Sequence, residues 1–315
     1  MCVDRHHESV LLSECLEYLN ITPSGVYVDG TLGGGGHTGE IAKRLNQEGM
    51  VIGIDRDDTA IREARKHLDQ LELNCRYELV HDEFANLHEV LNSLSVQLVE
   101  GVLLDLGVSS FQLDEGERGF SYMQDAPLDM RMDQRQLMTA KDLVNEYSEE
   151  DLHRIIKEYG EEKWAKRIAS FIVQKRSKKS IEDSFELVEV IKNAIPAKAR
   201  REGPHPAKRT FQAIRMEVNQ ELQQIEKTLE VAVNHLKPGG RLCVISFHSL
   251  EDRLVKNSFK EFQKDCVCPS EFPECRCQQQ SLIKIITRKP VVPKENELER
   301  NPRARSAKLR VAERL

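Results

Sequence analysis

The residues best suited to chemistry begin with an aspartate and a run of glycines. Asp29 closes the short apolar run Val26-Tyr27-Val28 and is followed by Gly30-Thr31-Leu32 and the cluster Gly33 to Gly36. Gly34-Gly35-Gly36-His37-Thr38-Gly39 fits G-x-G-x-x-G, a pattern whose bare glycines let a ligand lie against backbone amides at a strand-to-helix turn. About twenty residues on, Asp55 ends a second apolar run, where a carboxylate can accept hydrogen bonds from ribose hydroxyls. Val80-His81-Asp82-Glu83-Phe84 brings a ring that can cover an adenine, and Asp105 ends the run Val102-Leu103-Leu104. The pattern points to a nucleoside-containing cofactor. A negative charge at Asp29, ahead of the glycines, would repel the pyrophosphate of a nicotinamide dinucleotide. It suits a ligand with a cationic amino group, such as S-adenosyl-L-methionine. No G-x-x-x-x-G-K-[ST] run occurs, which excludes a P-loop nucleotide hydrolase.

These residues need a scaffold, and the first hundred positions supply an alternation of strand-like and helix-like patterns. Val26–Asp29, Met50–Asp55, Tyr77–Val80 and Val102–Leu106 read as strands, with helices over His37–Leu45 and Ala60–Leu71. Such alternation predicts crossover units and a parallel sheet covered on both faces. The rhythm then stops. From about Leu113 to Pro206 no buried strand is visible, and three capping pairs, Thr139 with Asp142, Ser148 with Asp151 and Ser180 with Asp183, precede amphipathic stretches. Apolar residues from Phe211 to Leu236 at steps of three and four predict one long helix, stopped by Lys237-Pro238-Gly239-Gly240. Arg241–Phe247 reads as a further central strand, Ser249 as the cap of another helix, and Leu282–Thr287 and Ala307–Ala312 as edge strands. The expected organisation is one α/β domain in two parts, 1–112 and 207–315, with a helical insertion over 113–206 that recognises substrate.

With 315 residues, 39% hydrophobic and 31% charged, the chain can bury a core and is not disordered. No apolar run reaches the ~18 residues of a membrane span, and the N-terminus lacks the basic-then-apolar order of an export signal. A cytoplasmic protein is expected. The net charge of −6 hides an asymmetry. Phe111–Glu162 holds 14 acidic and 6 basic residues, whereas Lys198–Arg215 holds 6 basic and 1 acidic. Lys284–Arg310 holds 9 basic and 3 acidic. Local rather than total charge steers a polyanion.

Longer blocks are more specific than any glycine pattern. They include Asp29-Gly30-Thr31-Leu32-Gly33-Gly34-Gly35-Gly36-His37, Leu104-Asp105-Leu106-Gly107-Val108-Ser109-Ser110-Phe111-Gln112 and Leu128-Asp129-Met130-Arg131-Met132-Asp133. His205-Pro206-Ala207-Lys208-Arg209-Thr210-Phe211-Gln212, Ser246-Phe247-His248-Ser249-Leu250-Glu251-Asp252-Arg253 and Asn301-Pro302-Arg303-Ala304-Arg305-Ser306 continue the series. Together they make the chain resemble the MraW (RsmH) family of bacterial ribosomal RNA methyltransferases almost end to end. The resemblance implies a Rossmann-like class I S-adenosylmethionine-dependent methyltransferase fold with an inserted all-helical domain. It implies methyl transfer from S-adenosyl-L-methionine to the exocyclic N4 amine of a cytosine in the decoding region of small-subunit ribosomal RNA. It also implies cofactor contacts at Gly35, Gly36, His37, Asp55, Phe84, Asp105 and Gln112, to which the residue reading adds Asp29, Gly33 and Gly34.

Many amino-methyltransferases follow the fourth strand with Asp/Asn-Pro-Pro-Tyr, but here Asp105-Leu106-Gly107-Val108 stands instead. Asp105, Ser109, Ser110, Asp129 and His248 are therefore the candidate catalytic groups. Each also has an ordinary reading as an orienting group, a helix cap or an ion-pair partner. Lys198, Arg200, Arg201, Lys208, Arg209, Arg303 and Arg305 are the candidate RNA contacts, through phosphates. A same-fold methyltransferase acting on another nucleic acid or amine, or a non-catalytic RNA-binding assembly factor within the ribosomal subunit, are the alternatives. The sequence leaves the oligomeric state, a homodimer included, open. Cys266, Cys268, Cys275 and Cys277 offer four soft ligands, enough for zinc. Their spacing is not the usual C-x-x-C, so the sequence alone reads as a reduced surface loop with no resident metal.

Overall fold

A computed structural model describes residues 9–108, 116–201, 203–266, 268, 276–277 and 279–315. The motif residues Ser109, Ser110, Phe111 and Gln112, and Cys275, lie outside the described residues. Seven strands form one sheet: β1 (Val26–Asp29), β2 (Met50–Asp55), β3 (Arg76–His81), β4 (Val99–Asp105), β5 (Leu236–Ser246), β6 (Ile283–Ile285) and β7 (Lys308–Arg314). Their order is β3-β2-β1-β4-β5-β7-β6. The first five run parallel, and β7 is antiparallel to both its neighbours. The fold is a Rossmann-like α/β sheet of the methyltransferase type.

The apolar runs explain the arrangement, because a strand covered on both faces must be apolar on both sides. Ile52, Ile54, Val102, Leu104 and Val244 pack with the helices Leu87–Ser93, Glu221–His235 and Ser249–Phe262 on one face. Tyr27, Val51, Leu103, Cys243 and Ile245 pack with the helices Leu12–Leu19 and Gly36–Ala42 on the other. The strand order reverses between β1 and β4, the place in an open α/β sheet where a crevice beyond the carboxyl ends of the strands takes ligands.

The chain divides into two compact units, residues 1–107 with 222–315, and residues 108–221. The division falls fifteen residues later than 206, at 221, because Phe211, Ile214 and Val218 join the core of the second unit. That core also holds Leu143, Val144, Leu152, Ile168, Ile172, Leu187 and Ile191, from the helices between Ala140 and Ala194. Among its described residues no strand forms beyond an isolated bridge of Pro127 with Asp183.

Several local expectations change. The long helix is two, Lys208–Val218 and Glu221–His235, separated where Gln220 takes φ of 49°. The interruption has a cause: Asn219 is fully buried and ties the turn to a distant loop. Its Nδ2 donates to Met130 O (2.8 Å) and Arg215 O (2.8 Å), and its Oδ1 accepts from Met132 N (2.7 Å). The capping pairs Thr139–Asp142 and Ser148–Asp151 form, but Asp183, not Ser180, caps the helix Ser184–Ala194. Lys237–Gly240 lies inside β5 as an irregularity in its pairing with β4, Val99 facing Leu236 and Gly101 facing Arg241. β7 is not an edge strand, since it lies between β5 and β6.

Replacing Asn219 by leucine strands the Met132 amide and the Met130 carbonyl, at about 1–3 kcal/mol for each buried unpaired group. Asn219→Leu should therefore lower stability by roughly 2–6 kcal/mol in urea titration. Gln220→Gly, which relieves a left-handed backbone, should be neutral or stabilising.

Candidate cofactor site

Asp29 ends β1 in register with Gly53 of β2 and Leu103 of β4, so its side chain is buried at the crevice. Its Oδ2 accepts from Thr38 Oγ1 at 2.7 Å, and its Oδ1 accepts from Thr31 N at 3.2 Å. Burial nonetheless raises its carboxyl above the ordinary value, the Thr38 and Thr31 donors opposing. The turn beyond it is held by backbone bonds from Gly30 N to Leu103 O (2.9 Å) and from Leu32 N to Ile54 O (3.0 Å). Gly33 and Gly35 both have left-handed backbones, with φ of 50° and 79°. A Cβ at Gly35 would meet Ala64 Cβ at 3.2 Å, whereas at Gly33 the nearest atom would be 3.9 Å away. Gly35 is bare for packing, and the space beside Gly33 is open. The same test at Gly30 finds Leu104 Cδ2 at 2.6 Å and Phe84 Cβ at 3.3 Å, which puts Phe84 beside the turn.

Asp55 closes the next side. Its Oδ2 accepts from Gly33 N and its Oδ1 from Asp57 N, both at 2.9 Å. Burial pushes its carboxyl up to about 6 despite these donors. Asp105, at the end of β4, completes the ring. Its backbone N–H donates to Thr31 Oγ1 at 2.6 Å, and His37 Nδ1 lies 3.9 Å from its Oδ2. His37 Nε2 faces Val10 O at 3.1 Å, which fixes the ring plane. Asp105 Oδ1 is buried and has no hydrogen-bond partner. Burial drives this carboxyl well above the ordinary range, with the charges of Asp29 and Glu251 adding to the shift.

Thus Asp29, Gly33, Gly34, Gly35, Gly36, His37, Asp55, Phe84 and Asp105 belong to one crevice around β1, β2 and β4. Gln112 lies outside the described residues. Sequence reasoning missed Thr31, Thr38 and Glu251. Thr31 and Thr38 act through contacts between elements, and only their place inside the glycine block hinted at a role. Glu251 had a local signal, since His248-x-x-Glu251 has the spacing of a capping box with histidine in the serine position.

The remaining catalytic candidates have ordinary partners. His248, rather than Ser249, caps the helix Ser249–Phe262. Its Nδ1 accepts from Glu251 N (3.4 Å), and Glu251 Oε2 accepts from the amides of Phe247 (2.8 Å) and His248 (3.3 Å). Asp129 sits in the second unit in a two-point bond with Arg131, Nε to Oδ1 and Nη2 to Oδ2, each 2.8 Å. Burial would raise its carboxyl, but the Arg131 guanidinium holds it below the ordinary value. Ser109 lies outside the described residues. Lys198, Arg200, Arg201, Lys208 and Arg209 are exposed in the second unit, and Arg303 and Arg305 in the first. Arg209 already donates to Glu161 O at 3.0 Å.

Because the Asp55 carboxyl is raised, the folded chain holds more protons than the unfolded chain between the ordinary value of about 4 and about 6. Its contribution to stability therefore falls as pH rises through that window. Urea titrations at about pH 4.5 and about pH 7 should show this downward component in the parent chain and its loss in Asp55→Asn. An identical pH dependence in both would remove Asp55 from the account.

Comparison with known proteins gives the family. Residues 4–315 match the model of the MraW methylase family. The chain is 59% identical to the ribosomal RNA small subunit methyltransferase H of Clostridioides difficile (strain 630), over 98% of this chain and 99% of that protein. It is 56% identical to the protein of the same name from Acetivibrio thermocellus, again over 98% and 99%. Matched along nearly all its length and more than half identical to both relatives, the chain belongs to the MraW methylase family and is a methyltransferase.

Proposed function

We propose that the chain transfers the methyl group of S-adenosyl-L-methionine to the N4 amine of a cytosine in the decoding region of small-subunit ribosomal RNA. The observation that carries the donor assignment is Asp105 Oδ1, a buried carboxyl oxygen without a partner where the strand order reverses. Such an atom is costly unless a donor or cation reaches it. The residues fit the cofactor. Asp105 and Asp29 would take its cationic end, the side-chain-free turn at Gly33 would leave room for its chain, Asp55 would accept from the ribose hydroxyls, and Phe84 would wall the adenine. When bound, the sulfonium supplies an already activated methyl group. What the protein adds is in-line positioning and exclusion of water.

A cytosine amine is a poor nucleophile because its lone pair is delocalised into the ring. The base must leave its stack to present that amine. The names of the relatives support small-subunit RNA as the substrate. The choice of cytosine N4 rests on the family resemblance. Exposed Lys198, Arg200, Arg201 and Lys208 are suited to backbone phosphates, which give affinity and salt dependence without sequence choice.

The test is labelled methyl transfer to small subunits from cells lacking this protein, followed by digestion and mass mapping. Label in N4-methylcytidine of the decoding region is expected. Label in another nucleoside, or cofactor binding with no transfer, would overturn the substrate or the enzymatic reading respectively. Asp105→Asn should weaken cofactor binding roughly tenfold to a hundredfold, the range of one charge-assisted contact. Arg200→Glu with Arg201→Glu should weaken subunit binding and flatten its salt dependence, by roughly 0.7 in the log–log slope for each phosphate no longer neutralised. Cofactor affinity should stay unchanged in that pair.

A further inference from the structure

A second group of reactive side chains lies away from the crevice. Cys266, Cys268 and Cys277 stand between the helix Ser249–Phe262 and β6, and their three Sγ atoms lie within 4.8 Å of one another. Cys266 and Cys277 Sγ are 3.9 Å apart. A tetrahedral ion with metal–sulfur bonds of about 2.3 Å holds its sulfurs about 3.8 Å apart. The spacing is that of two thiolates on one ion.

Backbone donors point the same way. Cys268 N donates to Cys266 Sγ at 3.4 Å, and Arg276 N donates to Cys268 Sγ at 3.3 Å. These contacts tie two of the three sulfurs to the backbone. The three cysteines are not part of the buried hydrophobic core; among the described residues from 260 to 282, Phe262 and Leu282 are the ones that pack against it. Leu282 N donates to Phe262 O (2.8 Å) and Gln279 Nε2 to Lys264 O (3.4 Å), which joins the two ends of the loop. The cysteines elsewhere are of another kind. Cys15 and Cys243 are free thiols buried in one apolar cluster, and burial pushes Cys243 up to about 12, leaving it inert.

We propose that Cys266, Cys268 and Cys277 bind one thiophilic divalent ion of the zinc type, which staples the loop entering β6. Three protein ligands and half-buried sulfurs leave the fourth position to water or a further donor. The ion's place is structural. It fixes the loop and the sheet edge that follows it, because metal binding and local folding are coupled when the ligands converge only in the folded chain.

The experiment uses the full chain purified under reducing conditions without chelator. Elemental analysis should find zinc in about one-to-one ratio with protein. Cobalt loading of the stripped protein should give thiolate-to-metal charge transfer and the intense visible bands of a tetrahedral site. Cys266→Ser and Cys277→Ser should each lose most of the metal while keeping the circular dichroism of the parent, and Cys75→Ser should keep both. Stripping should also expose the loop to limited proteolysis. Metal-free protein that shows no cobalt–thiolate band would overturn the proposal. So would full metal retention in both serine variants, or a Cys266–Cys277 disulfide found by mass spectrometry in protein kept reducing.

Discussion

Carboxylates set side by side at the ends of parallel strands are the constraint around which the first unit is built. Asp29, buried, and Asp105, half-buried with its Oδ1 shut off from solvent, end adjacent strands, and Glu251 adds a further buried acid at the start of the helix after β5. In a low-dielectric crevice each negative charge makes the next harder to sustain. The molecule answers unevenly. Asp29 receives a hydroxyl and an amide and Asp55 receives two amides; Glu251 receives two amides on Oε2 alone, with His248 Nε2 3.1 Å from its Oε1, whereas Oδ1 of Asp105 receives nothing. A well-satisfied acid is structural. The unsatisfied one is where a positively charged guest gains most from entering.

The sheet makes that imbalance tolerable in structural terms. Strands covered on both faces give a rigid platform on which Asp29, Asp55 and Asp105 hold their relative places without help from their side chains. Backbone bonds from Gly30 to Leu103 and from Leu32 to Ile54 then lock the turn to both neighbours of β1. Thr31 bridges the same gap by accepting from the Asp105 amide, so the crevice floor is cross-tied before any ligand arrives. Preorganisation of this kind spares the cost of ordering the site at binding.

What was legible in the sequence follows from range. The central strands were readable because doubly covered strands are apolar along their whole length, and Asp29, Asp55 and Asp105 because each ends such a run. The break at Asn219 and Gln220 was not, since the apolar stripe continues across it and the cause is a bond to Met130 and Met132 nearly ninety residues away. β7 looked like an edge because order within a sheet is not written in strand composition. Lys237–Gly240 carries a turn signal, yet pairing with β4 keeps it in the strand. The capping pairs succeeded at Thr139 and Ser148, where donor and acceptor are three residues apart. His248 escaped because histidine stood in the place of serine.

The two kinds of charge in this protein act over different distances, which reconciles an acidic chain with a polyanionic substrate. Exposed charges are screened within about 8 Å at physiological salt, so acidic residues elsewhere on the surface do little to cancel Arg200 and Arg201. Buried carboxylates are screened far less, but their field is confined to the crevice they line. Net charge therefore says little about either ligand. On the proposed function a negative crevice draws a small cation while exposed arginines meet phosphates, and the two are kept apart by the burial of Asp29 and of Asp105 Oδ1 against the exposure of Arg200 and Arg201.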